Sequence, residues 1–143
     1  MENGVLSFVY HNVDFQIENE GSIRGWLKKV VDDEGKSCGD LTIVFCTDKF
    51  LLKKNIKYLK TNTLTDIIAF DYCDGKIISG DLFISVERVK ENAKTHHVSE
   101  VNETCRVMVH GLLHLLGYKD KNATDQTEMR QKEDYYLSLH PFL

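Results

Sequence analysis

Two histidines, His110 and His114, stand four residues apart in the run Val107 to Asp120, which reads VMVHGLLHLLGYKD. Residues at i and i+4 of a helix project from one face a turn apart, so this pair can aim two ring nitrogens at a single point. Such a point suits a metal ion. Gly117 ends the pattern, because glycine readily takes the left-handed conformation that follows a last helical turn. The chain then turns and supplies Asp120 as a third donor. Two imidazoles and a carboxylate leave a position free for water, which separates catalytic from structural zinc; nickel, manganese and iron accept the same ligand types. The expectation is one Zn2+ ion held by His110, His114 and Asp120. Alternatively Asp120 bonds backbone amides of the turn, and Asp125 or His140 is the third ligand. His96 and His97 follow a helix end, where histidines meet free carbonyls, and stay outside the site.

The position after His110 narrows the chemistry. Zinc peptidases with an HExxH helix place a glutamate there as general base, and this sequence has Gly111. A metal that activates water and polarises a phosphoryl oxygen does not need that glutamate, and in RNA the 2′-OH can be the nucleophile. Phosphodiester cleavage therefore fits better than peptide hydrolysis. An anionic third ligand donates more charge than a third histidine, so activity is expected to favour higher pH. Glu103, Arg106, His110 and His114 follow one another at three- or four-residue spacing along one line of a helix that is otherwise apolar. A buried helix keeps polar side chains only when they are paired, bonded or metal-bound. Arg106 is the candidate catalytic residue of that stripe.

The elements that must hold these residues can be read in order. Val5–Tyr10 is rich in β-branched and aromatic residues and predicts a strand. Ile23, Trp26, Leu27, Val30 and Val31 repeat at helical spacing over residues 21–33, with Ser22 as the expected cap. A polar turn over 32–40 precedes a central strand, Leu41–Cys46. Thr47 caps a helix expected to run from Asp48 to Lys60 with Leu52, Ile56 and Leu59 inward. Its other face carries Lys49, Lys53 and Lys57, with Lys54 and Lys60 nearby. A lysine stripe is most often a solvated face; in an acidic protein it is also a candidate phosphate-facing patch. Asp66–Phe70 and Lys76–Ser85 predict a hairpin, with Gly80 marking a bulge or a close approach. Ser85 caps a helix to about Thr95, Ser99 caps the metal helix, and a last helix begins near Thr124 with Met129, Tyr136 and Leu137 inward.

The chain of 143 residues fits one domain, residues 1–143. Its order of elements predicts an α+β fold, a small mixed sheet of about four strands packed with about five helices. The four cysteines, Cys38, Cys46, Cys73 and Cys105, form no CxxC pair and lie in or beside apolar runs, so a reducing, cytoplasmic setting is expected. No apolar run approaches the ~20 residues of a membrane span. A net charge of −4 argues against coating nucleic acid by bulk charge.

The run HGLLHLLGYKD resembles the signature HGxLHLxGYDH of the YbeY family of bacterial ribosome-associated metalloproteins. TDIIAF is similar to the family's TDVLSF, and the GDLFIS strand and Arg106 extend the match. The resemblance implies a metal helix of the zincin kind and a zinc-dependent single-strand endoribonuclease. It implies action in maturation of the small-subunit ribosomal RNA 3′ end and in ribosome quality control, with ribosomal RNA and the small subunit as partners and no role for DNA or membrane. The family's three metal histidines fall on His110, His114 and the position of Asp120. Where the family has an arginine after a tyrosine, this chain has Tyr58-Leu59-Lys60, so Lys60 offers charge without bidentate geometry. Lys53, Lys57, Lys60, Asp66 and Asp81 are the expected substrate-binding residues. The competing reading is a non-catalytic ribosome-assembly factor in which the metal only ties the last helices together.

Overall fold

The computed structural model describes residues 4–59 and 66–140. Lys60 lies outside them. Strands β1 (Leu6–Tyr10), β2 (Ser37–Cys46), β3 (Ile67–Asp71) and β4 (Ile77–Ser85) form one sheet in the order β1-β2-β4-β3. β1, β2 and β4 run parallel, and β3 returns antiparallel along β4 as the expected hairpin. The helices are α1 (Glu20–Asp33), α2 (Asp48–Lys54), α3 (Val86–Thr95), α4 (Glu100–Leu115) and α5 (Ala123–Ser138). This is the expected α+β architecture with its mixed sheet.

Strand alternation sends successive side chains to opposite faces, and here it divides the protein into two unequal cores. Leu41, Ile43 and Phe45 of β2 and Ile78, Leu82 and Ile84 of β4 face α1, α4 and α5, where they join Leu27, Val31, Met108, Leu113, Met129 and Tyr136. On the other face Cys46 and Ile68 pack with Leu51 of α2, and Phe50, Phe70 and Phe83 lie against them. α4 is thus a central helix with its apolar sides covered, as its sequence predicts, although Val101 near its start is exposed.

Several local expectations change. α1 starts at Glu20, not at a Ser22 cap, because Asn19 takes a left-handed conformation (φ 58°) and the helix runs on from it. β2 begins at Ser37, four residues before the apolar run; its offset against β4 lies between Cys38 and Leu41. Gly80 is in register with Asp71 and is a close approach, not a bulge: a Cβ there would lie 2.4 Å from the Phe70 carbonyl oxygen. The helix after Thr47 is α-helical only to Lys54 and continues as a π-helical segment, Asn55–Leu59. Wider winding rotates the later residues, so Ile56 is half exposed while Asn55 is buried. The caps at Thr47, Ser85 and Ser99 form as expected, each side chain accepting from the third residue of its helix.

Candidate metal centre

α4 ends in a Schellman turn. Gly117 (φ 105°) donates to the His114 carbonyl at 3.1 Å, and Tyr118 donates to the Leu113 carbonyl at 3.0 Å. The reversal brings Asp120 back over the last turns of the helix. Its Oδ2 lies 3.5 Å from Nε2 of His110 and 3.4 Å from Nε2 of His114, and the two Nε2 atoms are 3.1 Å apart. Tetrahedral bonds of about 2.0–2.1 Å hold donor atoms about 3.3–3.4 Å apart, so this triangle fits a zinc-sized ion. The three side chains are 26, 32 and 43 % exposed, which leaves the triangle open on one side. The proposed alternatives to Asp120 are elsewhere. His140 is buried with Nε2 3.1 Å from the Cys105 thiol and its ring on Trp26. Asp125 sits in the first turn of α5, where its backbone amide donates to the Asn122 cap.

A residue that the sequence did not single out organises the centre. Glu133, on α5 and nearly wholly buried, accepts from Nδ1 of His110 at 2.6 Å through one oxygen and from Arg106 at 2.8 Å through the other. Fixing Nδ1–H in this way directs Nε2 of His110 towards the triangle, the usual support of a metal-ligating imidazole. His114 has no such bond to its Nδ1 among the described residues, so the two ligands are held unequally. Burial by itself raises the Glu133 carboxyl, but the bonds and charges of His110 and Arg106 outweigh it and hold it below the ordinary carboxylate range. Burial likewise works against charge on His110, and Glu133, Asp66 and Asp120 reverse that, raising its pKa. Glu133 is hidden in sequence because nothing in its helix marks it; only its spacing of four from Met129 and of three and four from Tyr136 and Leu137 faces it inward.

The remaining expected site residues divide into those near the triangle and those away from it. Arg106 forks onto Glu133 and Asp134 at 2.8 Å each, so its guanidinium ties α4 to α5. Asp66 is within electrostatic reach of His110; burial raises its carboxyl, the charge of His110 lowers it, and the Asn92 amide donates to it at 3.3 Å. Asp81 stands opposite Thr42 and Phe70 on the sheet face that α4 does not cover. Lys53 and Lys57 are exposed on α2 and its π-helical continuation, also beyond that face, while Lys54 lies over the rings of Phe50 and Phe83 at 5.4 and 5.1 Å. At the ends of the central strands, α2 follows β2, and the Asp66 carbonyl accepts from the Ser85 amide of β4. Of the stripe on α4, Glu103 turns from the centre, its Oε1 3.6 Å from Nδ1 of His96.

Gly111 packs against the sheet. A Cβ at this position would lie 2.5 Å from Ile67 Cδ1 and 3.1 Å from Leu82 Cδ2, so the place of the peptidase glutamate is occupied by core.

The family model described as Endoribonuclease YbeY matches residues 5–140. The chain is 46 % identical over 135 residues to an Endoribonuclease YbeY of Flavobacterium johnsoniae, covering 94 % of this chain and 96 % of that one. It is 47 % identical over 135 residues to the Endoribonuclease YbeY of Flavobacterium psychrophilum, with the same coverage. That of Christiangramia forsetii is 42 % identical over 139 residues, covering 97 % of this chain and 96 % of its own. Among solved structures, a Thermotoga maritima protein determined in solution superposes with a TM-score of 0.66 at 18 % identity, over 94 % of this chain and 87 % of that one. That likeness concerns the fold.

Proposed function

The chain belongs to the endoribonuclease YbeY family, and on that premise we propose that it is a metal-dependent endoribonuclease whose single ion, zinc, is held by His110, His114 and Asp120. The observation that carries this reading is the convergence of those three donors within 3.1–3.5 Å of one another on an open rim. Three protein donors with one side exposed suit a catalytic ion; a structural ion is closed by a fourth. When bound, the ion supplies Lewis-acid polarisation of a phosphoryl oxygen and activation of water near neutral pH. His110, fixed through Glu133, and His114 orient the donors, and Asp120 adds the negative charge. The packed surroundings of Gly111 leave no room for a side-chain base at that position, which supports phosphodiester over peptide chemistry.

The substrate is single-stranded RNA, specifically the 3′ end of small-subunit ribosomal RNA, and the protein works with the small subunit in the cytoplasm, including in ribosome quality control. The RNA backbone passes the ends of the central strands between the metal centre and α2, with Lys53 and Lys57 beside phosphates and Lys60, outside the described residues, as a further phosphate contact. Asp66 borders the ion, Asp81 lies on the sheet face opposite α4, and Arg106 acts through Glu133. His114→Ala is expected to abolish zinc uptake and RNA cleavage together. Cleavage retained by the metal-free variant would overturn the reading. A wild-type protein that binds zinc, loses thermal stability on its removal and cleaves no RNA at any pH would favour the assembly-factor reading instead.

A further inference from the structure

We infer that Glu34, from the far end of α1, is a positioning residue for the metal centre: it fixes Tyr118 and through it the turn that presents Asp120. The inference rests on the metal reading above. Asp120 differs from its co-ligands in its support. His110 and His114 are carried by a long buried helix, whereas Asp120 lies on the short segment between α4 and α5. That segment is tied at two points on either side of the carboxylate. Two residues before it, the Tyr118 hydroxyl donates to Oε1 of Glu34 at 2.7 Å; beyond it, the Gln126 side chain donates to the Asp120 carbonyl at 3.1 Å.

The first tie is built into the interior and the second is exposed. Glu34 is only 13 % exposed, and its other oxygen accepts from the Tyr136 hydroxyl and from Lys132 Nζ, the latter at 3.2 Å. Lys132 also lies over the Tyr118 ring, 5.6 Å from its centroid. The carboxylate is therefore held by α5 from behind and holds Tyr118 in front. Tyr118 is in turn locked at its backbone by the Schellman bond to Leu113, so fixing its ring sets the direction in which the chain leaves α4. The histidine pair needs none of this. Losing Glu34 should loosen the third donor and leave the first two in place.

The test is zinc affinity, measured by competition with a chromophoric chelator, in a double-mutant cycle of Glu34→Gln with Asp120→Ala. Tyr118→Phe serves as a milder variant that keeps the ring and the turn and removes only the hydroxyl. Outer contacts of this kind are worth about 10- to 100-fold in metal affinity. Glu34→Gln and Tyr118→Phe are each expected to weaken zinc about tenfold or more in the wild-type background, and to have no further effect once Asp120 is alanine. The Co2+ spectra of both variants should shift towards that of Asp120→Ala. An equal loss in both backgrounds would show that Glu34 acts on the fold as a whole and overturns the inference, as would unchanged affinity in the single variants. Wild-type protein that takes up no zinc would overturn the metal reading itself and this inference with it.

Discussion

Glu133 and Glu34 are two largely buried carboxylates, both bonded through both oxygens, and they face different tasks with different partners. Glu133 meets an imidazole and a guanidinium. Glu34 meets two phenols and one ammonium. At Glu34 the polar groups satisfy one another, and the network reaches the centre only through Tyr118 and the turn that carries Asp120. At Glu133 the bond to Nδ1 of His110 leaves Nε2 unused by the interior and aimed at the rim with His114 and Asp120. A buried carboxylate that captures one nitrogen of a histidine makes the other available, whereas one that captures hydroxyls makes a hub that reaches the centre only through the backbone of its partners. The difference in partner type, more than in burial, separates direct support of a metal ligand from indirect support through a turn.

Deleting the Glu133 carboxylate has the largest expected effect. Removing one member of a buried ion pair is costly because the partner keeps its charge without compensation, typically about 3–5 kcal/mol. Glu133→Ala leaves Arg106 with only the exposed Asp134 among the described residues and strands Nδ1 of His110. It is expected to lower the unfolding free energy of the zinc-free protein by about 3 kcal/mol and to weaken zinc about 10- to 100-fold, read by urea denaturation and chelator competition. A loss of stability with zinc affinity intact would show that Glu133 serves the packing of α5 on α4 and not the ion.

Acidity sharpens the contrast in the zinc-free protein. The carboxyls of Glu133 and Glu34 both sit below their ordinary value of 4.5, so each contributes stability that is present above 4.5 and is lost as pH falls through its folded value. His110 sits above its ordinary 6.5, so its contribution is present below 6.5 and is lost as pH rises through its folded value. The Glu133 network is thus most stabilising between about 4.5 and 6.5 and declines on both sides. The Glu34 network has no such alkaline decline until its phenols ionise, and burial has raised both of them above 10. Unfolding of wild type, Glu133→Gln and Glu34→Gln in a chelator from pH 4 to 9 should give a peaked difference for Glu133 and a plateau for Glu34. Two plateaus would mean that His110 is not the group coupled to Glu133.

What could be read in sequence follows the same division. His110, His114, Gly117 and Asp120 are close in the chain, and the geometry of one helix and one turn relates them, so spacing is enough. The buried face of α1, the hairpin and three of the caps are legible for the same local reason. Glu133 and Glu34 meet their partners across 23 and 84 or more residues, and only the packing of α5 and α1 on α4 brings them together. Neither has a local signature. Ile56 fails differently: a π-helical segment changes the period on which its inward assignment rests. The place of Asp81 on the sheet face opposite α4 needs the strand order and the side on which α4 packs, and neither is written in a strand of alternating residues.

A smaller effect probes the hub alone. Tyr136→Phe removes one donor from Glu34 and leaves Lys132 and Tyr118 in place. A hydrogen bond to a charged group is worth about 1.5–3 kcal/mol, and Lys132 can partly compensate, so a loss of about 1 kcal/mol is expected. Because the Tyr118 bond to Glu34 survives, zinc affinity should stay within about twofold, well short of the 10-fold or more expected when an outer contact of the metal is lost. A tenfold loss would show that the hub transmits to Asp120 as a unit and not through Tyr118.

The two cations give the smallest and most discriminating contrast. Arg106 is 21 % exposed and bidentate across two carboxylates, while Lys132 is 36 % exposed and contacts Glu34 at 3.2 Å on the rim. Solvent screening limits pairs of the second kind to about 0–1 kcal/mol. Lys132→Met keeps the stem that covers the Tyr118 ring, and is expected to cost about 0.5 kcal/mol, an amount that vanishes in 1 M salt as the screening length falls to about 3 Å. Arg106→Met should cost several times more and keep most of that cost in salt, because Glu133 is left buried with a charge that water cannot reach. Equal, salt-sensitive losses for both would mean that Glu133 is solvated in solution, and the distinction between direct and indirect support of the ion would fall with it.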